Sequence, residues 1–214
     1  MTTEYHKIDT VFKRDQKGHI TDEFSCPEFH YLRNNEWEFT EKIDGTNIRL
    51  SYDPMKTPID SAGPIHYIAG RTDNAQIPPH LLKYLVELYQ KTPWEDVFDS
   101  PVVIYGEGYG AKIQKGGGNY ISDGVGFIVF DIKIGDWWLK RYVVENLCSQ
   151  IGLLSAPIVD RGTLYEGVEL ARNGLRSNWP KVEHAEGLVM RPTVELFNRG
   201  GERIITKIKT KDFR

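Results

Sequence analysis

Residues 37–52 read WEFTEKIDGTNIRLSY. Trp37 and Phe39 before Asp44-Gly45, and Ile48 and Leu50 after it, alternate with polar residues, the period of a half-buried strand. Asp-Gly is a turn dipeptide, so the stretch predicts strand, tight turn and strand. Working outward, residues 54–64 make a proline-bounded loop and IHYIAGR (65–71) a further strand. Pro78-Pro79 opens a helix with an apolar stripe of Leu81, Leu82, Leu85, Val86 and Leu88. VVIYGEGYG (102–110) is a strand whose end breaks into glycines. After a loop holding Gly116-Gly117-Gly118 comes the β-prone run GFIVFDI (126–132). RYVVENLCSQIG (141–152) reads as a helix stopped by Gly152, and GVELARNGL (167–175) as a shorter one. EGLVMRP (186–192) and RIITKIK (203–209) are the last strands. The sum is an α+β fold, antiparallel sheets with packed helices. Strands and helices do not alternate regularly, which argues against a doubly wound parallel sheet, and no Pro/Ser-rich linker divides the chain. A single domain spanning 1–214 is expected.

With 214 residues, 40% apolar and 27% charged, the chain can bury one sizeable core or at most two small ones. It holds no apolar run of about 18 residues, the length of a bilayer-spanning helix. The opening MTTEYHKIDTVFKRDQKG lacks the apolar stretch of a secretion signal. Cys26 and Cys148 fall outside any metal-ligand spacing and read as buried thiols of a reducing, cytoplasmic compartment. Six scattered histidines form no HExxH or HxH pair. The net charge of −3 does not announce nucleic-acid binding, yet a basic groove can exist on an acidic protein. The stretch RIITKIKTKDFR concentrates positive charge locally.

Several short segments carry chemistry when taken together. In Lys42-Ile43-Asp44-Gly45 a lysine at a strand end can point into a cleft, and burial beside other cations would lower its pKa and free its amine as a nucleophile. Alone, the tetrapeptide is more simply a hairpin turn with a surface lysine. Tyr105-Gly106-Glu107-Gly108 sets one carboxylate among glycines that let a ligand approach the backbone. Phe127, Phe130 and Asp131 offer aromatic rings and an acid along one strand; Glu186-Gly187-Leu188-Val189 repeats acid, glycine and apolar strand. Lys207 and Lys209, two residues apart on a strand, point the same way. Each has an ordinary reading as turn, core or solvated face. The glycine-rich loop 110–126 is not a P-loop, because GxxxxGK[ST] is absent, but its Lys112 and Lys115 could touch a phosphate backbone.

In this order the segments resemble the covalent nucleotidyltransferases, the DNA ligases, RNA ligases and mRNA capping enzymes. The family's motifs read here EKIDG, YGEGYG, GFIVFDI, EGLVMRP and TKIKTK, over residues 36–211. EK-x-x-GTN at 41–47, AGRT at 69–72 and Ile113-Gln114-Lys115 resemble the RNA ligase 2-like branch; Asp44 departs from it, since that branch often carries histidine there. The resemblance implies the adenylation domain of an ATP-grasp-like ligase fold. It also implies ATP with Mg²⁺ or Mn²⁺, and a substrate of nicked or broken nucleic acid, RNA before DNA. Lys42 would take AMP from ATP, pass it to a 5′-phosphate and release it when a 3′-hydroxyl attacks. Lys207 and Lys209 would face the phosphates with Arg71, and Glu107 would hold the ribose. Phe127 would stack on adenine, and Glu41 would read its edge beside Ile43. Glu186, helped by Asp44 or Asp131, would position the metal. Arg49, with Lys112 and Lys115, would meet the nucleic acid.

No OB-fold or helical domain fits after Lys207, so the enzyme is expected to be minimal, a piece of a longer protein, or served by a separate strand-recognition partner. A monomer without membrane attachment is expected. The rival readings are a minimal DNA ligase, a GTP-using capping-type enzyme, and a non-catalytic nucleic-acid-binding module of the same fold.

Overall fold

The structure, a computed structural model, describes residues 4–55 and 67–214. In chain order the elements are β1 (Asp9–Thr10), β2 (Phe12–Arg14), β3 (Ile20–Phe24), α1 (Pro27–Leu32), β4 (Trp37–Lys42) and β5 (Thr46–Tyr52). Next come β6 (Ile68–Gly70), α2 (Pro79–Lys91), α3 (Trp94–Val97), β7 (Val102–Gly110), β8 (Val125–Ile134) and β9 (Trp137–Trp138). The last are α4 (Arg141–Gln150), β10 (Leu154–Ser155), β11 (Ile158–Gly162), α5 (Leu164–Arg172), β12 (Gly187–Pro192) and β13 (Thr206–Lys209). The loop read at 54–64 lies mostly outside the described residues, as do Ile65 and His66 of the strand after it.

The chain divides into two compact units. Unit 1 is Met1–Tyr5 with Asp44–Ala156, and unit 2 is His6–Ile43 with Pro157–Arg214. The physical cause is two separate apolar cores, and the dividing line falls inside the stretch that opened the sequence reading. The strands flanking Asp44-Gly45 are both present, but they do not form a hairpin. β4 pairs with β11 and β12, whereas β5 pairs with β6 and β7.

In unit 1 the sheet runs β10-β8-β7-β5-β6, with β9 attached to β8. One face carries Ile48, Leu50, Ile104, Val129 and Ile132, packed with Leu81 and Leu85 of α2 and Val144 and Cys148 of α4. The helix stripe read from the sequence is therefore the core face of α2. In unit 2 the sheet runs β1-β13-β12-β4-β11. Trp37 and Phe39 of β4 pack there with Leu188 and Met190 of β12, Ile208 of β13, and Leu164, Val168 and Ala171 of α5. Thr163 and Glu166 close a capping box at the start of α5. Pairing is antiparallel except at two short edges, β1 on β13 and β10 on β8. No helix among the described residues is long and apolar enough to cross a membrane.

Candidate active site

Three strands of unit 2 bring the lysines together. Gly187, the first residue of β12, sits opposite Lys42 of β4 on one side and Lys209 of β13 on the other. Glu186, one residue earlier, receives both ammonium groups. Lys42 Nζ lies 2.6 Å from its Oε2, and Lys209 Nζ lies 2.6 Å from its Oε1. All three side chains are largely but not fully enclosed, at 21%, 14% and 25% exposure for Lys42, Glu186 and Lys209. Lys207 projects from β13 on the same face as Lys209, as two-residue spacing requires.

The backbone around this cluster is tied down. Thr210 N–H donates to the Glu186 carbonyl at 2.9 Å, and Thr210 Oγ1 donates to Ala185 O at 2.9 Å. Asp212 accepts Lys209 N–H at 3.1 Å and Arg14 Nη2 at 2.9 Å. Neither Thr210 nor Asp212 was singled out from sequence, since nothing local marks their distant partners, Ala185 and Glu186 for Thr210 and Arg14 for Asp212.

The electrostatics follow from enclosure. Burial raises the Glu186 carboxyl, but the charges of Lys42 and Lys209 and their hydrogen bonds outweigh it and hold the group below its ordinary 4.5. Burial, then repulsion from Lys42 and Lys209, holds the Lys207 ammonium below its ordinary 10.5. Glu186 is thus ionised at neutral pH and acts as an acceptor that aims two amines.

This gives a sign for acid stability. The folded value lies below the unfolded one, so in that window the unfolded chain binds the extra proton. The stabilisation is full above about pH 4.5 and is lost as pH falls through the lower folded value. Glu186→Gln should cost about 1–3 kcal/mol at pH 7. Urea unfolding at pH 7 and pH 3.5 should show that the gap between wild type and variant narrows in acid.

Glu41 is turned into the core of unit 2 instead of standing beside Lys42. It alternates with Lys42 and so shares the core face of β4 with Phe39; it is 2% exposed. Its Oε1 accepts Ser177 Oγ at 2.6 Å, and its Oε2 accepts Asn178 N–H at 2.9 Å and Nδ2 at 2.8 Å. The carboxylate fastens the 175–179 segment to β4. Glu41→Ala should cost about 2–4 kcal/mol in thermal or urea unfolding, with nucleotide preference unchanged. The Ile43 side chain is likewise buried, at 4%.

In unit 1, Glu107 lies on β7 opposite Asn47 of β5 and Ile128 of β8. Phe127 turns the other way. It is 3% exposed within the core, with its ring over Gly106, where an added Cβ would come within 2.4 Å of it. Its ring thus stands on the core face, opposite to Glu107. A bulge explains the misplacement: the β7–β8 register steps from Tyr105↔Asp131 to Gly106↔Val129, leaving Phe130 as the extra residue. Phe130 and Asp131 then stand on one face, since both touch Tyr5.

Arg49 is also corrected. It is 1% exposed, donating to Gly70 O at 2.7 Å and Asp73 Oδ1 at 2.6 Å, so it braces β5 and is not presented to a nucleic acid. Arg71, Lys112 and Lys115 are exposed. The loop bearing those lysines holds the turn after Lys42. Gln114 Nε2 donates to Gly45 O at 3.0 Å, and Tyr120 Oη accepts Asp44 N–H at 3.2 Å.

Each oxygen of Glu186 is engaged by an ammonium group in this structure. Among the described residues no group of three or more His, Cys, Asp or Glu side chains is placed to hold a metal ion. Both cysteines are free thiols; Cys148 is buried as expected, whereas Cys26 is only half-buried, and burial pushes Cys148 up to about 12 and Cys26 up to about 11.

An archaeal ATP-dependent RNA ligase superposes with a TM-score of 0.62 at 17% identity, covering 98% of this chain and 49% of that one. A Naegleria gruberi RNA ligase variant gives 0.62 at 18% identity, covering 98% and 60%, and another, with ATP and Mn, gives 0.61 at 17%, covering 97% and 61%. The chain thus spans about half to three-fifths of the length of these solved relatives. The chain shares the fold of these ligases over nearly its whole length. The chain belongs to the RNA ligase family, whose profile matches residues 35–209.

Proposed function

We propose that this chain is the catalytic domain of an ATP-dependent RNA ligase that carries AMP on Lys42 and joins broken or nicked RNA. The observation that carries this reading is the amine of Lys42 held 2.6 Å from Glu186, which is itself held 2.6 Å from Lys209, with Lys207 on the same strand face. Three amines and one acid on a sheet end suit a polyphosphate. Fixed cations there stabilise charge as it develops, without reorganising at the moment of reaction. Family membership and the ATP in a solved relative add support.

In the first step the neutral Lys42 amine attacks the α-phosphorus of ATP. A P–N bond forms, the α–β P–O bond breaks, pyrophosphate leaves and the amine's proton passes to solvent water. Glu186 is too weak a base to take that proton, because its carboxyl is held acidic; it aims the amine instead. In the second step a 5′-phosphate oxygen attacks the same phosphorus and the P–N bond breaks. In the third a 3′-hydroxyl attacks the activated 5′-phosphate, and AMP leaves as the new phosphodiester closes.

Lys207 and Lys209 supply charge to the phosphates, with Arg71 as a further cation. Glu107 receives the ribose hydroxyls, and Phe130, in place of Phe127, offers a ring to the adenine. Lys112 and Lys115 are the remaining candidates for contact with an RNA backbone. Mg²⁺ or Mn²⁺ enters only with the nucleotide's phosphates, whose charge it would offset; the residues named here supply position and fixed charge.

Intact-mass measurement after incubation with ATP or GTP and Mg²⁺ tests the first step. A gain of one AMP, and none of GMP, is expected. A panel of 5′-phosphorylated RNA and DNA nicks then tests the substrate. Sealing confined to DNA would overturn the RNA assignment, and no gain of mass would overturn the reading as a whole.

A further inference from the structure

Glu4 and Tyr5 belong to unit 1 although the residues that follow them belong to unit 2. They lie across the sheet face that bears Glu107. The Tyr5 ring is 5.1 Å from Tyr105, 5.1 Å from Phe130 and 5.8 Å from Trp138, and the residue is 6% exposed. Its hydroxyl donates to Asp131 Oδ2 at 2.5 Å. One residue earlier, Glu4 Oε1 accepts Asp73 N–H at 3.0 Å, and Asp73 in turn holds Arg49. Arg49, Tyr105 and Asp131 are registered neighbours across β5, β7 and β8. Two residues from one end of the sequence therefore bracket a complete row of the sheet.

The adjacent row on that face is Asn47, Glu107 and Ile128. Phe130 is the residue displaced by the bulge, and a bulged residue lacks the ladder restraints that would fix its direction. Tyr5 supplies that restraint, meeting Phe130 edge-on at 65°. Asp131 is 2% exposed, and a buried carboxylate needs strong donors; a phenol at 2.5 Å is one.

We propose that Tyr5 is a positioning residue for the nucleoside end of the ATP site, orienting Phe130 through its ring and Asp131 through its hydroxyl. This rests on the reading of the chain as an adenylating enzyme. A residue that shapes the nucleoside pocket alters ATP binding equally in the ground and transition states. Its loss should therefore appear in KM and leave the rate at saturating ATP nearly intact.

The test measures the rate of AMP attachment against ATP concentration for wild type, Tyr5→Phe and Tyr5→Ala, with folding checked by circular dichroism. Tyr5→Ala should raise KM about 10-fold or more and Tyr5→Phe about 3-fold, each with kcat within about 3-fold of wild type. A merely structural strap would lower the folded fraction and the saturating rate together without moving KM, and that result overturns the proposal. If Tyr5→Ala does not fold, Tyr5→Phe alone decides: a raised KM supports the role and an unchanged KM overturns it. If wild type takes no AMP, the parent reading fails, and calorimetric ATP titration of wild type and Tyr5→Phe decides the role of Tyr5. Weaker binding in the variant supports it; equal binding, or none in either, overturns it.

Discussion

Lys42→Ala should leave the protein folded and unable to gain AMP, a loss of at least about 10³-fold in the rate of attachment. The side chain is the proposed nucleophile, and nothing else in the cluster replaces it. Lys207 and Lys209 descend from a different strand, and Lys209 is committed to Glu186. Truncation also removes one partner of Glu186, so alanine alone would mix chemistry with packing. Lys42→Arg separates the two. A guanidinium keeps the positive charge beside Glu186 but stays protonated at any accessible pH and cannot attack phosphorus. The arginine variant should match wild type in urea unfolding more closely than the alanine variant does, yet be equally unlabelled by intact mass. Labelling of either variant on a second lysine would remove Lys42 from the mechanism.

Gly187→Ala should be the most damaging one-methyl change near the site. A Cβ at that position would stand 2.0 Å from Ile208 O and 2.7 Å from Lys209 Cα, both backbone atoms that cannot swing aside. Because Gly187 faces Lys42 and Lys209 across its two neighbouring strands, parting β12 from β13 would also separate the two amines that share Glu186. The expected cost is about 2–4 kcal/mol in urea unfolding, with AMP attachment reduced in the fraction that stays folded. Gly118→Ala is the control. An added methyl there meets nothing within 4 Å, and the change should fall within about 0.5 kcal/mol of wild type. Equal stability of the two variants would show that β12 and β13 can spread without penalty.

Strand parity explains most of what was and was not legible in the sequence. β7, β8, β12 and the apolar stripe of α2 were readable because each is long enough for its period to show. That Lys42, Glu186 and Lys209 come together was legible because acid, glycine and lysine recur at strand ends. Glu41 was misassigned because adjacency in sequence to Lys42 means the opposite face of β4. Phe127 was misassigned because a bulge three residues later puts Phe130 on the face with Asp131, and a bulge has no signature in GFIVFDI. Arg49 looked free only because its acceptors, Gly70 O at the end of β6 and Asp73 in the loop after it, lie far along the chain. The short elements β1, β2, β3 and α1 have too few residues for any period to be seen. The Asp-Gly turn was recognised, but a turn dipeptide does not say that the strands on either side join different sheets.

That change of sheets has a consequence for the order in which a ribosome delivers the protein. Residues 44–156 emerge as one uninterrupted run and can fold while synthesis continues. β4 emerges before them but waits for neighbours made after them: Glu186 follows Lys42 by 144 residues. At bacterial-to-eukaryotic translation speeds that delay is roughly 7–30 s, during which Trp37 and Phe39 lie on an unpartnered edge. The cluster of Lys42, Glu186 and Lys209 then forms only after β12 and β13 have emerged, and the β4 segment is where a holding chaperone would be needed.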